Sequence, residues 1–324
     1  MVAAEQVRVG FIGCGTHATE VLLPAVQQAG MDLAAICDLD KRRAQRAIRR
    51  FGAFRAYQDL QTMIAEMDLD AALVCGPPEL HAEAAHVALE HGVHVWTEAP
   101  PAPTAAEAER LAELAGAKGL VAQVGLMLRF APAYRRLREI IAGDGFGVPI
   151  AFEIVYWPPA LPGHDDALRY DAVHALDLVA MLVGEVRDVA VVPAPAGMGA
   201  GAGPRRIAVA LRTESGTTGT LSFMAAAACP RELVTVASAT SVATVEDRAT
   251  LSVRRADSDE MTLWRAGALG PGPEAGTAHL RGYLPELVHF AAAVSGAAEP
   301  VATMEGGAAA LRLAERIEAA YLEV

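Results

Sequence analysis

Positive charge is scarce in this sequence. The 324 residues include 27 Lys and Arg against 39 Asp and Glu, which gives a formal net charge of -12. Such a surplus of negative charge repels phosphate backbones and anionic lipid surfaces over most of a protein's surface. Nucleic acid and membrane surfaces are therefore not expected as partners.

Cysteine is also rare, and the four cysteines show no metal-binding or disulfide pattern. Cys14, Cys37, Cys75 and Cys229 form no C-x-x-C pair and have no histidine pair nearby. The sequence therefore predicts neither a metal site nor a disulfide framework. We interpret all four as small apolar residues that fill the interior.

Long apolar runs are missing as well. No uninterrupted apolar run reaches the length that crosses a bilayer. The apolar stretch that follows Arg8 is too short for the hydrophobic region of a signal peptide, and no cleavage site follows it. These absences predict a soluble, cytoplasmic protein.

Short apolar strands and amphipathic helices alternate through the first 125 residues. Five predicted strands, rich in Val, Ile and Leu, cover residues 7–14, 31–38, 70–76, 93–98 and 120–126. Apolar residues recur at helical spacing between them, and Gly52 and Gly92 indicate helix ends. Near-continuous apolar strands separated by helices indicate a parallel sheet covered on both faces. We predict a doubly wound α/β domain over residues 1–125.

The remaining residues, 126–324, have a different organisation. After about residue 147, strand patterns follow one another with turns and almost no helix between them, which indicates an antiparallel sheet. Helices are predicted at about 170–183, 283–294 and 306–321. We predict a second, α+β domain with a large, mostly antiparallel open sheet, whose last helices pack back on the first domain.

A glycine-rich turn follows the first predicted strand. The sequence GFIGCGTHA carries Gly13, Gly15 and Ala18 in the pattern G-x-G-x-x-A. The first glycine permits a tight turn, the second lets the backbone approach a pyrophosphate, and the alanine lets the helix pack close to the sheet. This turn, which also contains Thr16 and His17, is predicted to bind the phosphates of a dinucleotide at the amino end of a helix. Two interpretations of His17 stay open: a contact with phosphate, or a merely exposed residue.

Asp38 closes the second predicted strand. A carboxylate at this position accepts hydrogen bonds from the adenosine ribose hydroxyls and repels a 2'-phosphate, which predicts NAD as the cofactor in preference to NADP. The basic residues Lys41, Arg42 and Arg43 keep NADP open as an alternative. A second interpretation of Asp38 is a simple cap of the helix that follows.

Longer motifs recur along nearly the whole chain. They are GFIGCGTHA, VCGPPELHAEAAHVALEHGVHVWTEAP, VGLMLRFAPAYRRLREI, DAVHALDLVAMLVGEV and YLPELVHFAAAV. In this order they resemble the glucose-fructose oxidoreductase and inositol 2-dehydrogenase family, often written Gfo/Idh/MocA. The resemblance implies an NAD(P)-binding Rossmann domain, followed by a substrate-binding sheet domain that often carries the oligomer interface. We therefore expect a homo-oligomer, either a dimer or a tetramer.

The segment TEAPPA resembles the family's Glu-Lys-Pro motif at the end of a strand. Glu98 and Pro100 match this motif, but Ala99 stands at the lysine position. In the family, the Glu and the Lys lie beside the nicotinamide ring, and the Lys is assigned to polarise or protonate the substrate oxygen. The resemblance therefore implies that Glu98 lies beside the cofactor, and that the usual cation is absent.

A further part of the implied cofactor site is a loop that, in the family, follows the fourth strand and passes close to the cofactor. Here this loop corresponds to Gly76, Pro77 and Pro78, and the histidine that follows corresponds to His81. The residue pattern alone is equally consistent with His81 as a structural residue in the first turn of a helix.

The segment RYDAVHALDL resembles a family segment in which an Asp precedes a His by four residues. Alignment on His174 and Asp177 puts Tyr170 at that Asp, with Asp171 displaced by one position. One residue along a helix turns a side chain by about 100 degrees, so Asp171 is not expected to substitute. We predict His174 and Tyr170 as the catalytic residues, for proton transfer and for a hydrogen bond to the reacting atom. The alternative for His174 is a packed residue on an amphipathic helix.

The sequence thus predicts an NAD(P)-dependent oxidoreductase with an atypical active site. It would transfer a hydride between nicotinamide and a polyhydroxylated small molecule: a sugar, amino sugar, cyclitol or related carbonyl or imine compound. Arg129, Arg169 and His164 are candidates for binding substrate hydroxyl or carboxylate groups. A different class stays open because of Ala99 and Tyr170: a catalytically silent family member that binds a dinucleotide and acts as a sensor or a partner subunit.

Overall fold

The computed structural model divides the chain into two compact units. The first unit comprises Met1–Met127 with Gly282–Ala308, and the second comprises Leu128–Arg281 with Ala309–Val324. The structure describes residues 6–158, 167–192, 206–225, 228–266 and 273–323. The candidate His164 lies outside the described residues. The sequence places the boundary after residue 125, and the structure in addition assigns Gly282–Ala308 to the first unit.

A six-stranded parallel sheet forms the centre of the first unit. Its strands are β1 (Arg8–Ile12), β2 (Asp32–Cys37), β3 (Arg55–Tyr57), β4 (Ala71–Val74), β5 (His94–Thr97) and β6 (Ala122–Val124). The spatial order is β3-β2-β1-β4-β5-β6, and every neighbouring pair is parallel. The central strands are buried on both faces, so the predicted doubly wound α/β fold is confirmed.

Helices connect these strands, and their ends follow from local capping. A π-helical turn (Ala18–Leu22) continues into α1 (Leu23–Gln28), and the later helices are α2 (Lys41–Phe51), α3 (Leu60–Glu66), α4 (Pro78–Glu90) and α5 (Ala105–Lys118). The Thr104 hydroxyl caps α5 by accepting from the Glu107 amide, and Gly119 ends that helix with a φ of 66°. Such caps make the helix boundaries readable from the sequence.

An eight-stranded sheet forms the centre of the second unit. Its strands are β7 (Pro149–Trp157), β8 (Val186–Val192), β9 (Arg206–Thr213), β10 (Thr218–Met224), β11 (Arg231–Ser238), β12 (Ser241–Glu246), β13 (Thr250–Arg255) and β14 (Ser258–Arg265). The order is β14-β13-β12-β11-β7-β10-β9-β8, and only β7 and β10 pair in parallel. The predicted mostly antiparallel sheet is confirmed. Phe152, Ile154 and Tyr156 lie on its buried face.

The helices of the second unit differ from the predicted pattern at one place. They are α6 (Pro132–Ala142), preceded by a 3-10 turn (Met127–Arg129), and α7 (Ala167–Tyr170), α8 (Val173–Val183) and α9 (Pro273–Leu280). The helix predicted over residues 170–183 is wrong in its first turn, because α7 ends at Tyr170 and a turn at residues 171–172 precedes α8. The last two helices of the chain agree with prediction: α10 (Tyr283–Val294) belongs to the first unit, and most of α11 (Met304–Leu322) belongs to the second.

The sequence did not indicate β3, β8 and β12, for physical reasons. β3 has only three residues, too few to show an alternating pattern. β8 is an edge strand in which every residue is at least partly exposed, so it has no apolar face. β12 buries the small residues Ser241 and Ala243 beside Val245, which weakens its apolar signal.

The cysteines are interior residues with one exception. Cys14 and Cys37 are buried, and burial raises the pKa of each thiol to about 12. Burial also raises the pKa of Cys75, which is partly buried. These three thiols are therefore poor nucleophiles near neutral pH. Cys229 is exposed, so its interpretation as an interior residue is wrong.

Candidate functional site

The glycine-rich turn lies between the ends of three strands. Gly13 follows β1 with a φ of 92°, and its amide donates to the Cys37 carbonyl over 2.8 Å. A Cβ added at Gly13 would lie 2.0 Å from the Cys75 carbonyl oxygen, whereas one added at Gly15 would meet no atom within 4 Å. Ala18 is fully buried. The turn therefore has the properties expected of a phosphate-binding turn: a tight first glycine, an open second one and a packed alanine.

Asp38 lies at the same edge of the sheet, directly after β2. Its carboxylate accepts hydrogen bonds from the backbone amides of Cys14, over 2.7 Å, and Asp40, over 2.8 Å. Each carboxylate oxygen retains a lone pair for a further donor. The interpretation of Asp38 as a helix cap is wrong, because the residue that caps α2 is Asp40, which accepts from the Arg42 and Arg43 amides.

A cavity of about 340 Å³ lies between the turn and α2. Cys14, Gly15, Thr16, Thr19, Glu20, Arg43, Arg46, Ala47, Arg50 and Phe51 line it. The three arginines recur at helical spacing along one side of α2, so their guanidinium groups share the same space. This arrangement concentrates positive charge beside the turn in a chain that is negative as a whole.

His81 holds two backbone segments together. Its Nε2 accepts from the Gly76 amide over 2.9 Å, and its Nδ1 lies 2.7 Å from the Pro100 carbonyl oxygen. The side chain is 1% exposed, and burial lowers its pKa, which favours the neutral imidazole with the proton on Nδ1. Both ring nitrogens are therefore engaged, and a contact of either with a ligand would break one of these bonds. Gly76 and the neighbouring Pro77 are exposed.

Glu98 follows β5 and contacts the glycine-rich turn. Its Oε1 lies 2.8 Å from the Nε2 of His17, and its Oε2 accepts from the Ala99 amide over 3.0 Å. The sequence did not predict this contact, because the two side chains belong to motifs that lie about 80 residues apart. The structure thus brings Gly13, Gly15, Thr16, His17, Asp38, Gly76, Pro77, His81 and Glu98 to one edge of the sheet in the first unit.

His174 and Tyr170 belong to the second unit, on two different helices. Tyr170 is the last residue of α7, and His174 lies in the first turn of α8. Both side chains are partly exposed. The turn between the helices removes the basis for excluding Asp171, because a rotation of about 100 degrees per residue applies only within a continuous helix.

Asp171 is a candidate that the sequence pattern did not predict. Its side chain is 7% exposed, and burial raises its pKa from 3.8 to about 6. The charge of Asp171 also contributes to the raised pKa of Tyr156, whose largest cause is burial. A buried carboxyl group with a pKa of about 6, three residues before the partly exposed His174, is a candidate general acid or base.

The raised pKa of Asp171 predicts a stability that falls as pH rises. The folded protein binds this proton more tightly than the unfolded chain, so the stabilisation is complete below about pH 4 and is lost between about pH 4 and 6. A shift of about two units corresponds to roughly 3 kcal/mol as an upper limit. We expect Asp171→Asn to increase the free energy of unfolding, measured in urea, relative to the wild type. This increase should be larger at pH 8 than at pH 4, by about 1 to 3 kcal/mol. The control variant Asp259→Asn, at an exposed residue, should show no such pH-dependent gain in stability. An equal gain for Asp171→Asn at pH 4 and pH 8 would contradict the prediction.

The arginine candidates are engaged in ion pairs within the second unit. Arg129 forms a bidentate contact with Asp177, with Nη2 and Oδ1 at 2.5 Å and Nε and Oδ2 at 2.8 Å. Arg169 contacts Glu318 of α11 through both Nε, at 3.2 Å, and Nη2, at 2.6 Å. Each guanidinium therefore already has a carboxylate that fixes its position.

A second cavity, of about 490 Å³, lies within the second unit. Tyr156, Trp157, Pro158, Pro230, Arg231, Glu232, Asp247, Arg248, Ala249, Thr277, Leu280 and Arg281 line it. One wall is rigid, because the Glu232 carboxylate accepts from the Tyr134 hydroxyl over 2.6 Å and from the Arg248 guanidinium. The cavity combines an indole face with several hydrogen-bonding groups, as cavities that bind polar small molecules do.

Among the described residues, no group of three or more His, Cys, Asp or Glu side chains could hold a metal ion. None of the helices in the described ranges is long and apolar enough to span a membrane.

Comparison with known proteins relates the first unit to one family. Residues 7–126 match the profile of an oxidoreductase family with an NAD-binding Rossmann fold. Inositol 2-dehydrogenase from Acidothermus cellulolyticus is 32% identical over 198 residues, which are 58% of this chain and 57% of that protein. The chain spans just over half the length of the first curated relatives that it matches.

Solved structures with the same fold cover nearly the whole chain. A dehydrogenase from Chromobacterium violaceum is 26% identical, with a TM-score of 0.84 over 99% of this chain and 96% of that one. An oxidoreductase from Agrobacterium radiobacter, in complex with NAD+, L-tartaric acid and magnesium, is 16% identical, with a TM-score of 0.87 over 98% of this chain and 96% of that one. Over residues 7–126 the chain is thus similar, in sequence and in fold, to the family that its motifs resemble, an oxidoreductase family with an NAD-binding Rossmann fold.

Proposed function

We propose that the protein is an NAD(P)-dependent oxidoreductase that acts on a polyhydroxylated small molecule. The observation that carries this proposal is the pairing of an open Gly15 with a carboxylate, Asp38, fixed by two amides at the same sheet edge. A dinucleotide binds across such an edge where the strand order reverses, here between β1 and β4. When bound, the nicotinamide ring supplies the acceptor or donor of a hydride.

The substrate class rests on the relatives and on the second unit. Inositol 2-dehydrogenases are among the relatives, and the 490 Å³ cavity has polar and aromatic walls that suit a sugar, an amino sugar or a cyclitol. We propose that His174 and Tyr170 hydrogen-bond the reacting oxygen or nitrogen, and that His174 is one candidate for the proton. Asp171, which is buried and has a pKa of about 6, is a further candidate, and it lies in the turn between the two helices. A homo-oligomer, dimer or tetramer, remains our prediction.

NAD is proposed as the preferred cofactor, with NADP as the weaker one. Asp38 can accept from the ribose hydroxyls, and the loss of a hydrogen bond to a charged group costs roughly 1.5 to 3 kcal/mol. We expect Asp38→Ser to weaken NAD binding roughly 10-fold to 100-fold. Arg43→Ala should weaken NADP binding alone, because Arg43 faces the cavity beside the turn. Calorimetry with both cofactors measures these effects.

The control for the cofactor experiment lies on the same helix. Arg49 is exposed but does not line the cavity, so Arg49→Ala should leave both affinities unchanged. A wild type that binds NADP more tightly than NAD would reverse the proposed preference. A protein that binds neither at millimolar concentration would overturn the proposed function.

Turnover distinguishes an enzyme from a silent dinucleotide-binding protein. The test monitors absorbance of reduced nicotinamide with NAD and a panel that contains myo-inositol, D-glucose and D-glucosamine. Turnover with any of them supports the oxidoreductase. Tight NAD binding without turnover across the panel, unchanged in Ala99→Lys, would instead favour the sensor or partner subunit.

A further inference from the structure

The contact between His17 and Glu98 joins the phosphate-binding turn to the end of β5. The Nε2 of His17 lies 2.8 Å from the Oε1 of Glu98, and the Glu98 side chain is only 11% exposed. Its second oxygen accepts from the Ala99 amide. The carboxylate is thus fixed at both oxygens, and it can hold the imidazole in one orientation and one tautomer.

The strand order places this pair on one side of the turn. Along the sheet edge, Asp38 follows β2, Gly13 follows β1, Gly76 follows β4 and Glu98 follows β5, and the strands lie in that order. If the adenosine ribose lies at Asp38 and the pyrophosphate at the turn, the nicotinamide half extends toward β4 and β5. His17 reaches from the turn to the β5 end, and therefore lies on the nicotinamide side.

The rest of the imidazole is available for chemistry. Within the described part of the chain, Nδ1 of His17 makes no hydrogen bond, and the side chain is 42% exposed. Tyr283 of α10 packs edge-on against the ring, with centroids 5.5 Å apart and planes at 62°. Glu98 and Tyr283 are the titratable groups that face the ring from the neighbouring elements, and they fix its plane from two directions.

Lysine cannot supply the proton exchange at this edge. The whole chain contains two lysines, Lys41 and Lys118. Lys41 is exposed at the start of α2, and Lys118 is the last residue of α5, where its Nζ pairs with Glu90 over 3.0 Å. Histidine is the residue type whose unperturbed side chain changes charge near neutral pH.

We propose that His17 is the acid-base group on the cofactor side of the reaction, and that Glu98 is the positioning residue that orients it; this inference rests on the proposed function. With bound NAD as the hydride acceptor, oxidation of an alcohol to a carbonyl would release the hydroxyl proton, and Nδ1 of His17 would accept it. Glu98 stabilises the imidazolium that results, which then releases the proton to solvent. In the reducing direction the same proton returns to the oxygen.

The first experiment measures the tautomer without any turnover. In ¹⁵N-labelled protein, the imidazole signals of His17 are assigned by their absence in His17→Gln. We expect a proton on Nε2 and an unprotonated Nδ1 at alkaline pH, because Nε2 donates to Glu98. Glu98→Gln should abolish this preference. A His17 ring that carries its proton on Nδ1 would overturn the proposal, whatever the activity of the enzyme.

The second experiment measures single-turnover hydride transfer with NAD and the panel alcohol on which the wild type is active. His17→Gln retains a hydrogen-bond donor to Glu98 but cannot accept a proton, so we expect a rate lower by about 100-fold to 10,000-fold. The pH dependence that a general base gives to the rate should be lost with it. NAD affinity should change less than about 3-fold, because the phosphates bind to backbone amides. His86→Gln, at an exposed histidine of α4, is the matched control and should leave rate and affinity unchanged.

The outcomes separate the two proposals. An active wild type whose rate and pH profile are unchanged in His17→Gln but lost in His174→Gln would overturn the role of His17 and leave the oxidoreductase intact. A wild type that is inactive on every alcohol would overturn the proposed function, and with it the proton transfer. A His17→Gln variant that no longer binds NAD would assign His17 to cofactor binding and overturn its role as the acid-base group.

Discussion

Gly13→Ala is expected to lower the free energy of unfolding of the first unit by about 3 kcal/mol or more. The added methyl group would lie 2.0 Å from the Cys75 carbonyl oxygen, and the φ of 92° is one that alanine rarely adopts. Backbone strain of this kind costs roughly 1 to 3 kcal/mol, and overpacking costs roughly the same again. The Cys75 carbonyl cannot move away easily, because the Cys75 amide donates to the Ile12 carbonyl over 2.9 Å.

Gly15→Ala is the matched variant, because its effect should fall on ligand binding alone. A Cβ at Gly15 meets no atom within 4 Å, so stability should change by less than about 0.5 kcal/mol. The methyl group would, however, occupy space through which a pyrophosphate approaches the backbone. We expect NAD affinity to fall at least about 10-fold, which is about 1.4 kcal/mol.

Urea unfolding and calorimetry with NAD, applied to both variants, give four numbers that test this division. Gly13→Ala should unfold at lower urea concentration, and Gly15→Ala should unfold like the wild type but bind NAD poorly. A Gly15→Ala protein with wild-type affinity would show that the phosphates bind elsewhere. A Gly13→Ala protein of wild-type stability would contradict the close approach of Gly13 to Cys75.

The local parts of the site were predictable from the sequence because they depend on local rules. Each requirement of the turn is met by a particular residue type, and the three types follow one another in a fixed order. They are a glycine at positive φ, a small residue facing the sheet and an acid at the end of the second strand, here Gly13, Ala18 and Asp38. The same holds for the parallel sheet, since strands buried on both faces read as apolar runs.

The long-range parts could not be predicted in this way. The contact between His17 and Glu98 depends on the lateral order of β1, β4 and β5, which the sequence pattern of each strand does not contain. His81 presented the same difficulty, because its two backbone partners, at Gly76 and Pro100, flank different strands. Only the packed structure shows that its ring is fully engaged.

Asp171 shows how an error about one helix boundary changes a functional prediction. Continuous helical periodicity over residues 170–183 would turn Asp171 by about 100 degrees from the position of Tyr170, which is where the resembled family has its Asp. The observed turn at residues 171–172 ends that periodicity, and Asp171 is buried there with a raised pKa. Helix ends are the least certain feature of a sequence pattern, and here a candidate acid lies at one.

Asp177→Asn is expected to lower the free energy of unfolding of the second unit by about 3 to 5 kcal/mol. Asp177 is 1% exposed and lies on α8, one turn after His174, and its partner Arg129 is 15% exposed at the side chain. Burial raises the pKa of Asp177, and the Arg129 guanidinium opposes that rise. The asparagine keeps the shape of the side chain but leaves the arginine's charge without its carboxylate, and an uncompensated buried charge carries a cost of about this size.

An exposed pair provides the control for the Asp177 variant. Arg136 and Glu139 of α6 lie 2.8 Å apart, with both side chains more than half exposed. Because water screens such a pair, Glu139→Gln should cost less than about 1 kcal/mol. Urea unfolding of both variants decides the comparison, and equal losses in the two would contradict the role of burial.

The double variant Arg129→Met/Asp177→Leu separates the charge from the packing. If the cost of Asp177→Asn comes from an unpaired buried guanidinium, removing both charges should recover most of the lost stability, because an apolar pair of similar volume can replace a buried ion pair. If the double variant is instead as unstable as Asp177→Asn, the bidentate geometry itself holds the start of α8 in place. In that case single-turnover hydride transfer should also fall in the double variant, because His174 lies in the first turn of the same helix. Recovery of stability together with wild-type turnover would show that the pair serves folding alone.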